Sequence, residues 1–98
     1  MNEVHETVTF SKIYSAADGT EKEQIDSVRD QLKANLLVGK PLRFDWFREK
    51  KFGNKRLFYI INEESKKAIL LTFATKKEQQ AIIDRVVVDK LFYLNLLK

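Results

Sequence analysis

Phe47-Arg48-Glu49-Lys50-Lys51-Phe52-Gly53-Asn54-Lys55-Arg56-Leu57-Phe58-Tyr59-Ile60-Ile61-Asn62 (FREKKFGNKRLFYIIN, residues 47–62) is the stretch that decides the architecture. Gly53-Asn54 is a hairpin-turn pair, because both residues tolerate the positive φ that tight turns between antiparallel strands require. The arm before it mixes aromatics with charges. The arm after it, Lys55 to Asn62, is rich in aromatic and β-branched residues and is predicted to be a central strand. A basic β-hairpin therefore stands in the middle of the chain.

Outward from the hairpin, Glu63 to Lys66 forms a polar turn. Lys67 to Ala74 (KAILLTFA) is a near-continuous apolar run, the pattern of a strand covered on both faces. Thr75-Lys76-Lys77-Glu78 has the form of a capping box and opens a helix predicted over Lys76–Leu96. Its apolar residues, among them Ile82, Ile83, Val86, Leu91, Phe92 and Leu97, are too many for one buried stripe. Either the helix is sandwiched or it offers apolar surface to a partner. Upstream, Leu42, Phe44 and Trp46 alternate with Arg43 and Asp45 as in a strand. Before that, Thr20-Glu21-Lys22-Glu23 reads as another capping box. Ile25, Val28, Leu32 and Leu36 then mark one helical face, with Gly39 as the stop and Pro41 preventing continuation. Val4 to Phe10 alternates as a short strand, and Ser11 to Ala17 is predicted to form one or two helical turns capped by Ser11 and broken at Asp18-Gly19. The order strand, helix or helical hairpin, meander, helix implies an α+β domain with a small, mostly antiparallel twisted sheet. With 98 residues and no linker or repeat, residues 1–98 are one domain.

Hydrophobic residues at 44% and charged residues at 33% describe a globular chain. The absence of cysteine removes disulfides and thiolate metal sites and suits a reducing cytoplasm. The polar, acidic N-terminus is wrong for a signal peptide, and no apolar run reaches the ~18–20 residues a membrane span needs. Net charge is +4. Residues 43–56 carry six basic residues (Arg43, Arg48, Lys50, Lys51, Lys55, Arg56) against Asp45 and Glu49, a surplus equal to the whole net charge. Such a concentration attracts polyanions through counterion release at phosphates. The plainer reading is a solvated, lysine-rich face.

The element order, with these local sequences, resembles the RelE/ParE superfamily of type II toxin–antitoxin toxins. The resemblance rests on Gly39-Lys40-Pro41-Leu42, then Asn54-Lys55-Arg56-Leu57-Phe58-Tyr59-Ile60-Ile61, then Glu63-Glu64, and finally Thr75-Lys76-Lys77-Glu78. It covers about residues 6–85, and it is the ordered set that carries it. The chain departs from the family pattern in a short helical hairpin and in a longer, more apolar last helix. The Tyr or His usual near the start of that helix is also missing; Gln79, Gln80, Ile82 and Ile83 stand there.

The resemblance implies a cytoplasmic toxin that cleaves messenger RNA in the ribosome by attack of a 2′-hydroxyl on the adjacent phosphate. It implies no cofactor or metal, an antitoxin as partner, and the ribosome and mRNA as targets. Such a site takes a proton from the 2′-hydroxyl, gives one to the leaving 5′ oxygen and neutralises charge on phosphate. By the resemblance, Arg56 is the phosphate clamp, Lys77 the junction cation with Lys76 beside it, and Arg48 and Lys50 the further catalytic cations. Lys51, Lys55 and Arg43 join Lys76 as RNA contacts. The register of the hairpin remains open at this point. A two-residue turn at Gly53-Asn54 pairs Lys51 with Arg56, puts Glu49 and Phe47 on that face and makes Glu49 a candidate general base. A loop one residue longer puts Arg48 and Lys50 there, which the family comparison favours. A ParE-like gyrase inhibitor and a non-catalytic binding relative are the alternatives, and the apolar last helix equally suits a homodimer. Other signals are weaker. His5 lies near the terminus, Trp46 and Phe47 fit a core, no serine has a His–Asp setting, and the three glycines are isolated rather than a phosphate loop.

Overall fold

The computed structural model of the chain describes residues 1–98. The elements are β1 (Glu3–Glu6), α1 (Val8–Ala16), α2 (Gly19–Ala34), β2 (Lys40–Pro41), β3 (Phe47–Phe52), β4 (Lys55–Asn62), β5 (Lys67–Thr75), α3 (Gln79–Val88) and α4 (Lys90–Leu96). A 3₁₀ turn, Lys76–Glu78, joins β5 to α3. The five strands form one sheet in the order β1-β5-β4-β3-β2, parallel only between β1 and β5. This is the α+β arrangement expected. No helix is long and apolar enough to cross a membrane.

The sheet has two covered faces. Leu57, Tyr59, Ile61, Ala68, Leu70 and Phe73 face the helical hairpin of α1 and α2, where Phe10, Ile25, Val28 and Leu32 are fully buried. Each such aliphatic or aromatic side chain contributes roughly 1.5–3 kcal/mol by leaving water. Phe47, Phe58, Ile60, Ile69, Leu71 and Ala74 face the other way, toward Val86 of α3 and Leu97 just past α4. A bulge in the β4–β5 pairing, where Phe58 opposes Thr72 but Tyr59 opposes Leu70, re-phases β5. It lets Phe73 join Leu70 on one face while Leu71 joins Ala74 on the other, as an inserted residue does.

Several boundaries differ from those read in the sequence. The first strand stops at Glu6, because the Thr7 side chain accepts from the Phe10 N–H (3.0 Å) and caps α1; Ser11 lies inside that helix. The box that opens α2 is Asp18 with Glu21, two residues before the Thr20–Glu23 pair. The helix ends at Ala34, so Gly39 does not stop it. Leu42 to Trp46 is a bend and turn rather than a strand: its alternating aromatics make a stack, Phe44 on Trp46 with ring centroids 4.7 Å apart. The last helix breaks at Asp89. The break turns the chain back so that Leu97 can bury, and its carbonyl accepts from Asn62 Nδ2 (3.2 Å) and Ser65 Oγ (3.0 Å). Val88, Leu91 and Phe92 are left exposed.

Candidate nucleic-acid interface

Gly53, at φ +62, closes a two-residue turn, and the register follows from it: Phe52 opposes Lys55, Lys51 opposes Arg56 and Lys50 opposes Leu57. This is the register that turn chemistry favours. Residues directly opposed across an antiparallel pair share a face. Lys51, Glu49 and Arg56 therefore lie on the face of α3, and Arg48 and Lys50 on that of the helical hairpin.

Arg56 is 5% exposed and Glu49 is 4% exposed. Arg56 Nε sits 3.4 Å from Glu49 Oε2, an ion pair without hydrogen-bond geometry, and Nε and Nη1 are buried with no hydrogen-bond partner. Buried donors are nearly always satisfied, because an unmade bond costs about 1–3 kcal/mol. From above, Gln79 Nε2 donates to the same Glu49 Oε2 at 2.8 Å. α3 thus places its first residue over the pair. The junction is fixed at this end of the sheet, since Lys76 N–H donates to the Asn54 carbonyl (3.1 Å) and Thr75 Oγ1 to Glu78 Oε1 (2.9 Å). The Thr75 hydroxyl, followed by the Thr75 N–H, holds the Glu78 carboxyl below its ordinary range.

The eight basic residues singled out in the sequence separate into groups. Lys51, exposed and without an ion pair, shares the face of Arg56; Lys76 and Lys77, exposed and also unpaired, stand at the junction into α3. Lys55 is drawn to the other face: it pairs with Glu21 of α2 and lies over the Phe73 ring at 5.4 Å. Arg48 is also removed from the group. It is buried, and its guanidinium donates to the carbonyls of Leu37 (3.0 Å), Val38 (3.3 Å), Gly39 (3.2 Å) and Asp45 (3.2 Å). The register therefore corrects the pairing of Arg48 and Lys50 with Arg56. Lys50 lines a groove along the β2–β3 edge of the sheet with Gly39, Lys40, Glu49 and Lys51. Arg43 sits in the bend before β3, at the opposite end of that strand from Lys51. Gln79 was missed as a site residue, because a glutamine in a helix's first turn carries no sequence signal until the register brings Glu49 beneath it.

No protein-family model matches the sequence, and no curated protein matches it significantly. Solved structures do. The isolated RelE toxin of E. coli superposes with a TM-score of 0.68 at 12% identity, over 88% of this chain and 99% of that one. The chain has the RelE fold. The intact RelBE toxin–antitoxin complex of E. coli gives 0.67 at 13% identity, over 76% of this chain and 96% of that one. The RelBE2 toxin–antitoxin complex of Mycobacterium tuberculosis gives 0.62 at 23% identity, over 76% and 98%. On the RelE fold of this chain, Glu49, Arg56 and Gln79 meet where the hairpin passes under α3.

Proposed function

We propose that this chain is the toxin of a type II toxin–antitoxin pair and that it cleaves messenger RNA on the ribosome. The observation that carries the reading is Arg56: a guanidinium almost wholly buried, with two donors unpartnered, beside Glu49 on a face of unpaired lysines. A guanidinium with unused N–H donors, always charged, is chemically suited to phosphate oxygens. In the proposed reaction Glu49 accepts the proton of a 2′-hydroxyl. The O2′–P bond forms as the P–O5′ bond breaks, leaving a cyclic phosphate, and the departing 5′ oxygen takes a proton from a lysine ammonium, Lys51 being the one on this face. Arg56 neutralises the charge that builds on the phosphoryl oxygens. Lys76 and Lys77 supply further phosphate contacts from the junction. No cofactor takes part.

The exposed Val88, Leu91 and Phe92 are the surface proposed for the antitoxin, whose acidic segments would also mask the basic face. A homodimer through the same residues is the competing assembly, and the mass of the purified chain in solution separates the two. One observation favours a second reading, a ParE-like inhibitor of DNA gyrase. Gln79, which cannot donate a proton as an acid, stands over Glu49 where the family pattern expects Tyr or His. Cleavage of ribosome-bound messenger that is lost in Arg56→Ala supports the nuclease. Inhibition of supercoiling that survives Arg56→Ala, with no cleavage, supports the second reading.

A further inference from the structure

We infer that Lys40 is a phosphate-contacting residue of this face and that Arg48 and Tyr59, acting from the opposite side of the sheet, are the positioning residues that hold it there. The inference rests on the RNA-binding reading above and extends it. Lys40 opposes Glu49 in the β2–β3 register, and directly opposed residues share a face, so Lys40 stands with Glu49, Lys51 and Arg56. It is exposed and makes no ion pair.

Little in β2 itself keeps it in place. It is two residues long, and one of them, Pro41, has no N–H to give. The hold comes from behind. Arg48 donates to the carbonyls of Leu37, Val38 and Gly39 on one side of the connection and to that of Asp45 on the other. The Tyr59 hydroxyl donates to the Val38 carbonyl as well. Gly39 completes the device. Its φ is +82, and a Cβ there would clash with the Tyr59 hydroxyl and the Glu49 carbonyl. A buried guanidinium that binds four carbonyls and meets no carboxylate serves as a staple for the chain. What the staple delivers to the α3 face is a single charge, Lys40.

The test is binding of a fluorescently labelled single-stranded RNA oligonucleotide to the purified chain, read as anisotropy across a salt series. Each single-strand phosphate contact adds about 0.7 to the slope of log K against log salt. Lys40→Gln should lower the slope by about that amount. Arg48→Lys keeps the total charge and alters a side chain on the other face, yet should lower it by the same amount. The two together should lower it no further. Tyr59→Phe, which removes one hydroxyl, guards against misfolding of Arg48→Lys and should shift the slope the same way by less. Equal slopes for wild type and Lys40→Gln, with binding weakened in Arg56→Gln, would overturn the inference and leave the RNA-binding reading standing. Additive losses in the double variant would overturn the positioning role. Wild-type chain that shows no salt-dependent RNA binding would overturn both. So would equally tight, Lys40-dependent binding of a polyglutamate peptide, since the face would then be a dock for an acidic protein segment.

Discussion

Removing either partner of the Glu49–Arg56 pair should destabilise the chain far more than removing both. The charges are 3.4 Å apart at their nearest atoms and both residues are almost wholly buried. At an effective dielectric of about 20, Coulomb attraction at that separation is about 5 kcal/mol. Arg56→Met leaves a buried carboxylate held only by Gln79, and Glu49→Leu leaves a buried guanidinium whose Nε and Nη1 are already unpartnered. Each should cost about 3–5 kcal/mol, a large share of the ~5–15 kcal/mol by which a domain of this size is stable. In the melting temperature that is a fall of at least about 12 °C. The double variant Glu49→Leu/Arg56→Met restores a neutral, apolar face continuous with Phe58 and Ala74. It should recover to within about 1 kcal/mol of wild type, a coupling of at least about 5 kcal/mol. Urea denaturation followed by far-ultraviolet circular dichroism measures all four proteins. Single variants that each cost under about 1 kcal/mol, and whose effects add, would refute a buried, coupled pair.

Other expectations follow from single features. Gly39→Ala should lose about 2 kcal/mol or more in the same denaturation assay, because it adds both a Cβ clash and backbone strain at φ +82. Burial pushes the Tyr59 hydroxyl up to about 12, with the Arg48 guanidinium opposing the shift. A raised pKa means that the folded state keeps a proton the unfolded state gives up. This contribution to stability is therefore complete below pH 10 and lost as pH rises through about 12, so Tyr59→Phe should flatten the wild-type decline over that window in pH-dependent melts. Leu97→Ala should cost about 2–5 kcal/mol and speed hydrogen exchange in α4 before the rest of the chain, since Leu97 is the buried anchor that follows it.

The parts of the fold legible from sequence were those set by local chemistry. Gly53-Asn54 marked the hairpin but left its register open between two loop lengths until the structure fixed it, KAILLTFA announced a strand covered on both faces, and Ile25, Val28 and Leu32 marked the buried side of α2. What misled was pattern without local cause. The Leu42–Trp46 alternation is that of a strand, but Phe44 stacks on Trp46 and the Arg48 staple holds the segment in a bend. Gly39 looked like a helix stop, although its requirement is the passage of Tyr59 and Glu49 beside it. For the site, charge density identified the hairpin but could not divide its cations between faces. Arg48, Lys55 and Arg56 look alike in a basic run, and only long-range partners distinguish them: four carbonyls, Glu21 and Glu49. Gln79 and Lys40 were silent for the same reason.

Arg56, beside Glu49, is proposed to clamp a phosphate during cleavage of messenger RNA. The direct measurement is incubation of programmed ribosomes with wild type and with Arg56→Lys, which keeps the charge while losing the planar fork, at a temperature where both are folded. Cleavage in the ribosome-bound message is expected with wild type, leaving a 5′-hydroxyl end, and at least a tenfold slower rate with Arg56→Lys. Equal rates for the two proteins, or intact message with folded wild type, would contradict it.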